Sequence, residues 1–263
     1  MGKIIVQDLI IAVIAKLEDQ AITYAILRNY ENSFEDLAKD VDLLIDHQQE
    51  KKIVLIIKDV CKEFTDIIYV RRDHKRTVVS ILLKKSFSKE QDNQVFTFDL
   101  NKYINLKNNY KLSQRKGLGS KIRIRDVSVI KYFSKQIDRT FAVLERDTEM
   151  IFLMNHLLNK KKQVYLDLIN SHLNTKGLES VENLKDNVNL SLKLNELIAK
   201  SSLKIPNNQV ILHIQYFLLH LIYRCASYKV SKVIYYSGPD GSGKSTSYLA
   251  TMGFFDKLNI KYY

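Results

Sequence analysis

The chain opens on MGKIIVQDLIIAVIAKLED, an apolar run broken by Gln7 and Asp8 that reads as an amphipathic first helix. From there the pattern turns to short strands and one long-period helix. Ala21 to Leu27 (AITYAIL) predicts a strand closed by Arg28-Asn29-Tyr30. A short helix follows, with Ser33 and Asp36 in capping-box register. Asp40 to Ile45 (DVDLLI) predicts a second strand. Between His47 and Phe64, the residues Ile53, Ile56, Ile57, Val60, Cys61 and Phe64 keep the helical period. Asp66 to Arg71 and Thr77 to Leu83 predict two strands able to form a hairpin, and Gln94 to Leu100 (QVFTFDL) predicts a further strand.

After residue 145 the period is mostly helical. Asp147 is placed to cap a helix over Thr148 to Asn159, and Lys160-Lys161-Lys162 suits the negative end of its dipole. Residues 163 to 227 continue as helices with breaks near Thr175-Lys176-Gly177 and at Pro206, the last helix running from Gln209 to Ser227. Lys232 to Tyr236 (KVIYY) then predicts a buried strand, Lys244 to Leu258 a helix, and Asn259 to Tyr263 the start of another strand. The expected organisation is α+β: a mixed α/β domain over 1–145, a helical region over 146–229, and an α/β unit opening at 230. One strand, one helix and a strand stub are too small for a core of their own. The unit over 230–263 is therefore expected to be the beginning of a longer domain, or to lean on the residues before it.

Composition adds a bias in charge. With 41 Lys and Arg against 29 Asp and Glu, the net charge is +12, which favours anionic partners such as nucleotides, nucleic acid or acidic surface polymers. The same Lys-, Asn-, Ile- and Tyr-rich usage also fits an AT-rich genome. Cys61 and Cys225 each sit in an apolar helical pattern and read as packed thiols, in keeping with a reducing cytoplasm. No cleavage site follows the first apolar run, and Val210 to Tyr223 is too short to span a bilayer, so a soluble cytoplasmic protein is expected. His156 reads as a packed histidine. His213 and His220 share a helix face at a spacing too long for one metal ion. The Lys/Arg-rich stretch from Asn101 to Arg125, with Tyr103, Tyr110 and Lys116-Gly117-Leu118-Gly119-Ser120-Lys121, reads as a solvated loop with a glycine turn; an anion-binding loop is the alternative.

Two constellations carry chemistry. Gly238-Pro239-Asp240-Gly241-Ser242-Gly243-Lys244-Ser245-Thr246 contains G-x-x-x-x-G-K-[ST], the phosphate-binding loop of nucleoside-triphosphate proteins, in its expected place between a strand and a helix. Glycine at 238, 241 and 243 lets successive backbone N–H groups converge on phosphate oxygens, and the helix dipole points at the same anion. Lys244 would reach the terminal phosphates, while the Ser245 hydroxyl would join a Mg²⁺ shell. The second constellation is Asp40, Asp42 and Asp99. Residues two apart in a strand share a face, so Asp40 and Asp42 project together while Val41, Leu43 and Ile45 point inward. A divalent cation relieves the repulsion of such a pair, and Asp99 could join it from a neighbouring strand. Solvated carboxylates in a turn before a buried strand are the plainer alternative.

YAILRNY, KDVDLLID and FTFDL, in that order, resemble the nucleotidyltransferase superfamily with its polymerase-β-like fold. The resemblance implies that Asp40, Asp42 and Asp99 are catalytic metal ligands. Arg28-Asn29 stands where that family carries Gly-Ser, a departure at the phosphate cradle. The whole order of parts, ending in VIYYSGPDGSGKST, resembles bacterial two-part proteins whose C-terminal half is a thymidylate-kinase-like phosphotransferase. That resemblance implies ATP and Mg²⁺ as ligands at Gly238, Asp240, Gly241, Ser242, Gly243, Lys244, Ser245 and Thr246. It also implies a phosphate acceptor drawn from nucleotides or carbohydrates.

Overall fold

The computed structural model describes residues 2–27, 40–63, 67–82, 95–106, 120–135, 138–160, 165–181, 187–201, 203, 205 and 209–227. Helix α1 (Gly2–Asp19) buries Val6, Leu9, Ile10, Val13, Ile14 and Leu17, one face at three- and four-residue steps. It ends in a six-to-one hydrogen bond from Ile22 N to Leu17 O and a second from Ala21 N to Glu18 O, each 2.9 Å long. This is a Schellman ending, and it places Ala21 in the left-handed region at φ 50°. Residues 21 and 22 belong to that motif. The strand expected from Ala21 is accordingly shorter, β1 (Tyr24–Ile26).

Next come β2 (Asp40–Ile45), a 3₁₀ turn at His47–Gln49, and α2 (Glu50–Cys61). The expected helix thus splits: the Asp46 carboxylate accepts from Gln48 N at 3.0 Å and starts the tighter turn first. Strands β3 (Ile67–Arg72) and β4 (Arg76–Leu82) form the expected hairpin, followed by β5 (Val95–Asn101). A two-stranded ribbon, β6 (Ile104–Leu106) with β7 (Ser120–Ile122), precedes the hairpin β8 (Val129–Ser134) and β9 (Arg139–Leu144). The helices α3 (Arg146–Lys160), α4 (Leu166–Thr175), α5 (Asn187–Lys200) and α6 (Gln209–Ser227) complete the described chain. The phosphate-loop motif at 238–246, Arg28-Asn29 and the predicted helix at Ser33 lie outside the described residues.

Seven strands form one mixed sheet in the order β3-β4-β5-β2-β1-β9-β8, with β2 parallel to β5 and β1 parallel to β9. Side chains alternate across it. Tyr24, Ile26, Val41, Leu43, Ile45, Phe96, Phe98 and Leu100 face α1 and α2. Ala25, Leu27, Leu44 and Leu144 face α3, α4 and α5 in a second core. The helices beginning at Arg146 therefore complete the sheet's other side. Asp147 does not cap α3 as expected. It lies within the first turn, where its carboxylate stands 3.0 Å from His172 Nε2 and 2.8 Å from Lys176 Nζ, tying α3 to α4. Cys61 is fully buried, and burial pushes its thiol up to about 12, as a packed thiol should be.

A polar hub interrupts the first core. Glu50 at the start of α2 accepts from Thr77 Oγ1 at 2.7 Å and Arg72 Nε at 3.1 Å, and pairs with Lys102 Nζ at 2.9 Å. Burial opposes ionisation of Glu50, but the bonds from Thr77 and Lys102 and the charges of Lys102 and Arg72 outweigh it. The carboxyl is held below its ordinary range. Lys102 also donates to Asp73 O at 2.6 Å, so the hub fixes the β3–β4 turn against the end of β5.

Glu50→Gln should cost about 3–5 kcal/mol in urea unfolding at neutral pH, because it leaves the buried Lys102 ammonium without its counter-charge. A depressed folded pKa contributes stability that is present above the unfolded carboxyl value of about 4.3 and is lost as pH falls through the folded value. The gap between wild type and Glu50→Gln should therefore narrow on acidification. Ala21→Gly should raise stability by roughly 1 kcal/mol in the same assay, since glycine adopts the left-handed ending without the steric cost of a Cβ.

Candidate functional site

The parallel pairing of β2 with β5 places Asp40 beside Thr97 and Asp42 beside Asp99. Val41 and Leu43 point to the α1–α2 core with Phe98 and Leu100, so the intervening carboxylates share the opposite face. All three aspartates line one cavity of roughly 490 Å³, a volume suited to a small-molecule ligand. Lys75 and Arg76 close it from the β3–β4 turn, Asn101 from the end of β5, Ile104 and Asn105 from β6, and Leu27 from just past β1. Helix α3 supplies the far wall through Phe152, Leu153, Asn155 and His156.

The basic side of the cavity is built by the turn. Asp73 Oδ1 accepts from Lys75 N and from Arg76 N, both at 2.7 Å, an aspartate turn that opens β4 at Arg76. The Arg76 guanidinium then reaches across the strand end to donate from Nη1 to Asp99 Oδ2 at 2.8 Å. Burial pushes the Asp99 carboxyl above its usual value. Arg76 pulls it down, Asp42 and Asp40 push it up, and the net shift is upward because burial is the largest of these effects. Asn155 Nδ2 donates to Asn105 O at 3.1 Å, joining α3 to β6 at the cavity wall.

Three hard carboxylates suit Mg²⁺ by donor type. In this arrangement Arg76 holds one Asp99 oxygen. No group of three or more His, Cys, Asp or Glu among the described residues stands close enough to bind a metal ion together. The eight phosphate-loop residues from Gly238 to Thr246 lie outside the described residues, as does the Arg28-Asn29 pair.

Several cavity residues had weaker signals in the sequence. Asp73-His74-Lys75-Arg76 is a charged run between two strand patterns, which marks a turn but not its direction. His156, expected to be a packed histidine, stands edge-on to Tyr165 with ring centroids 5.8 Å apart and also lines the cavity. Lys121, expected in a solvated loop, is instead buried in β7. Its Nζ lies 5.0 Å from the Tyr103 ring centroid and 5.5 Å from that of Tyr216, where burial lowers its pKa. The aromatic faces replace part of the hydration the ammonium gives up.

No family model and no curated relative matches the chain. Among solved structures, it is similar to JHP933 from Helicobacter pylori, with 12% identity, 86% of this chain and 95% of that chain covered, and a TM-score of 0.34. It is also similar to an antigenic nucleotidyltransferase-like protein from Paracoccidioides brasiliensis, with 11% identity, coverage of 86% and 89%, and a TM-score of 0.31. At such values neither likeness assigns an activity to this chain. No helix among the described residues is long and apolar enough to cross a membrane.

Removing the guanidinium should move the neighbouring carboxyl. In Arg76→Met, the Asp99 pKa read by carbon-detected NMR titration should rise above its wild-type value, since Arg76 is the charge that lowers it.

Proposed function

We propose that the cavity binds a nucleoside triphosphate and transfers its nucleotidyl group to a hydroxyl acceptor. The observation that carries this reading is the register of Asp42 with Asp99 in one cavity that Lys75 and Arg76 also line. Carboxylates and cations together suit a ligand whose phosphates need both bridging metal and direct neutralisation. Asp40, Asp42 and Asp99 are the residues that would hold Mg²⁺, but only once Asp99 leaves Arg76 and the three carboxylates draw closer than they stand here; the bound ion would offset phosphate charge and make the α-phosphorus more electrophilic.

The chain's own groups divide the remaining work. Lys75 and Arg76 neutralise the triphosphate, while Asn101, Asn105 and Asn155 offer amides and carbonyls to the ligand's polar edges. The acceptor oxygen forms a bond to the α-phosphorus, the bond to pyrophosphate breaks, and pyrophosphate leaves. One of the cavity carboxylates takes the proton of the attacking hydroxyl.

A second reading rests on the motif at Gly238 to Thr246. There ATP with Mg²⁺ would be held by the loop, Lys244 and Ser245, in a kinase-like site whose acceptor is a nucleotide or a carbohydrate. The products separate the readings. Nucleotidyl transfer releases pyrophosphate, and kinase transfer releases ADP. Asp42→Asn should reduce pyrophosphate release by about 100-fold or more, in line with the loss of several kcal/mol of charge stabilisation, while Lys244→Ala leaves it near wild type. Pyrophosphate release unaffected by Asp42→Asn would sink the proposal, and ADP formation lost in Lys244→Ala would favour the second reading.

A further inference from the structure

Strand β8 closes one edge of the seven-stranded sheet, and among the described residues it pairs with β9 alone. Its sequence, VIKYFS, is apolar for an edge: Val129, Ile130 and Phe133 are 37%, 46% and 52% exposed. Such an edge offers a row of backbone N–H and C=O groups to another strand, and proteins block these rows with charged side chains, proline or a bulge. β8 has no proline and one charge, Lys131, which Glu18 of α1 already pairs with. The direction of its backbone groups is fixed. Glu145 N donates to Ser128 O at 3.0 Å, in the register that continues as Val129 opposite Leu144. Bonded and non-bonded pairs alternate along an antiparallel ladder, so the even-numbered residues of β8 turn their backbone groups to β9. Those of Val129, Lys131 and Phe133 point away from the sheet.

We propose that β8 pairs antiparallel with β8 of a second copy of this chain, joining two sheets edge to edge. A two-fold axis through such a seam sets one residue against its own counterpart, since a half-step would match a bonded pair with a non-bonded one. Two registers keep the strands well overlapped. One sets Lys131 against Lys131 of the second copy, a like-charge pair that destabilises a ladder. The other sets Tyr132 against Tyr132 of the second copy as a non-hydrogen-bonded pair, where side chains stand closest and aromatic pairs stabilise. In that register Lys131 and Phe133 of opposite copies exchange both backbone bonds, once on each side of the axis. The half-exposed Phe133 ring then lies beside the Lys131 side chain of the other copy, a favourable cation–ring contact.

The occupant is a second copy because the strand complements itself. The groups that point outward at Lys131 and Phe133 satisfy each other, in the one overlapped register that brings no like charges together. An unrelated extended peptide gains the same backbone bonds, but nothing on β8 selects its side chains. The net charge of +12 opposes approach, yet that repulsion is screened beyond about 8 Å at physiological ionic strength, so association should tighten as salt is raised. The pairing is independent of the chemistry proposed for the carboxylate cavity.

Analytical ultracentrifugation of the full 263-residue chain tests the proposal, together with amide exchange read residue by residue. The wild type should dimerise with a Kd on the order of 10 μM, as befits a contact smaller than a standard interface. Phe133→Lys sets a second cation against Lys131 across the seam and should raise that Kd by about 10-fold or more. Leu218→Lys, on the exposed side of α6, should leave it unchanged. In the dimer, the amides of Lys131 and Phe133 should exchange about 10-fold or more slower than in dilute monomer, while those of Ile130 and Tyr132, bonded to β9 in both states, change far less. A wild type that stays monomeric up to about 200 μM would overturn the proposal. So would a dimer that Leu218→Lys dissociates and Phe133→Lys does not, and so would a dimer in which Lys131 and Phe133 exchange as fast as in the monomer.

Discussion

The parallel pairing of β2 with β5 is the constraint on which the rest of the candidate site depends. Because side chains alternate across a sheet, this register commits Val41, Leu43, Phe98 and Leu100 to the apolar core and leaves Asp42 and Asp99 side by side on the other face. A slip of one residue would drive the carboxylates into the α1–α2 core. The burial of those hydrophobic side chains therefore holds two like charges next to each other. The repulsion and burial are visible in the raised proton affinity of Asp99, and the Arg76 guanidinium offsets part of them.

Arg76 is in place because a second polar arrangement fixes its turn. Asp73 organises the backbone at residues 75 and 76, and Lys102 clamps that turn while pairing with Glu50 at the head of α2. A buried ion pair contributes little net stability when weighed against apolar residues of the same size. Its effect here is positional: one carboxylate ties Arg72 of β3, Thr77 of β4 and the residue after β5 to a single helix terminus. The basic wall of the cavity is thus set from the opposite side of the sheet.

The two sides of the sheet also explain the chain's division of labour. α1 and α2 build a closed apolar layer behind the carboxylates, while α3 lays Asn155 and His156 over them. The helical half of the chain is therefore part of the site. α6 extends this layer through Tyr103 and the buried Lys121, where aromatic faces stand in for water around an ammonium.

Local pattern was enough to reveal β1 to β5, though not β6 to β9, together with α2, α3 and the shared face of Asp40 and Asp42, since a period of two or 3.6 is written within a few consecutive residues. The packed state of Cys61 was legible for the same reason. The end of α1 was not, because an alanine in the left-handed conformation carries no glycine to announce it. Asp147 looked like a cap but reaches across to α4, a partner 25 or more residues away that no local window contains. Lys121 looked solvated because its aromatic shelter comes from Tyr103 and from Tyr216 on a distant helix. The sequence by itself determined which residues share a face. The tertiary structure alone decided which strands lie side by side, and with that the meeting of Asp42, Asp99 and Arg76, because strand pairing is selected by burial of the whole core.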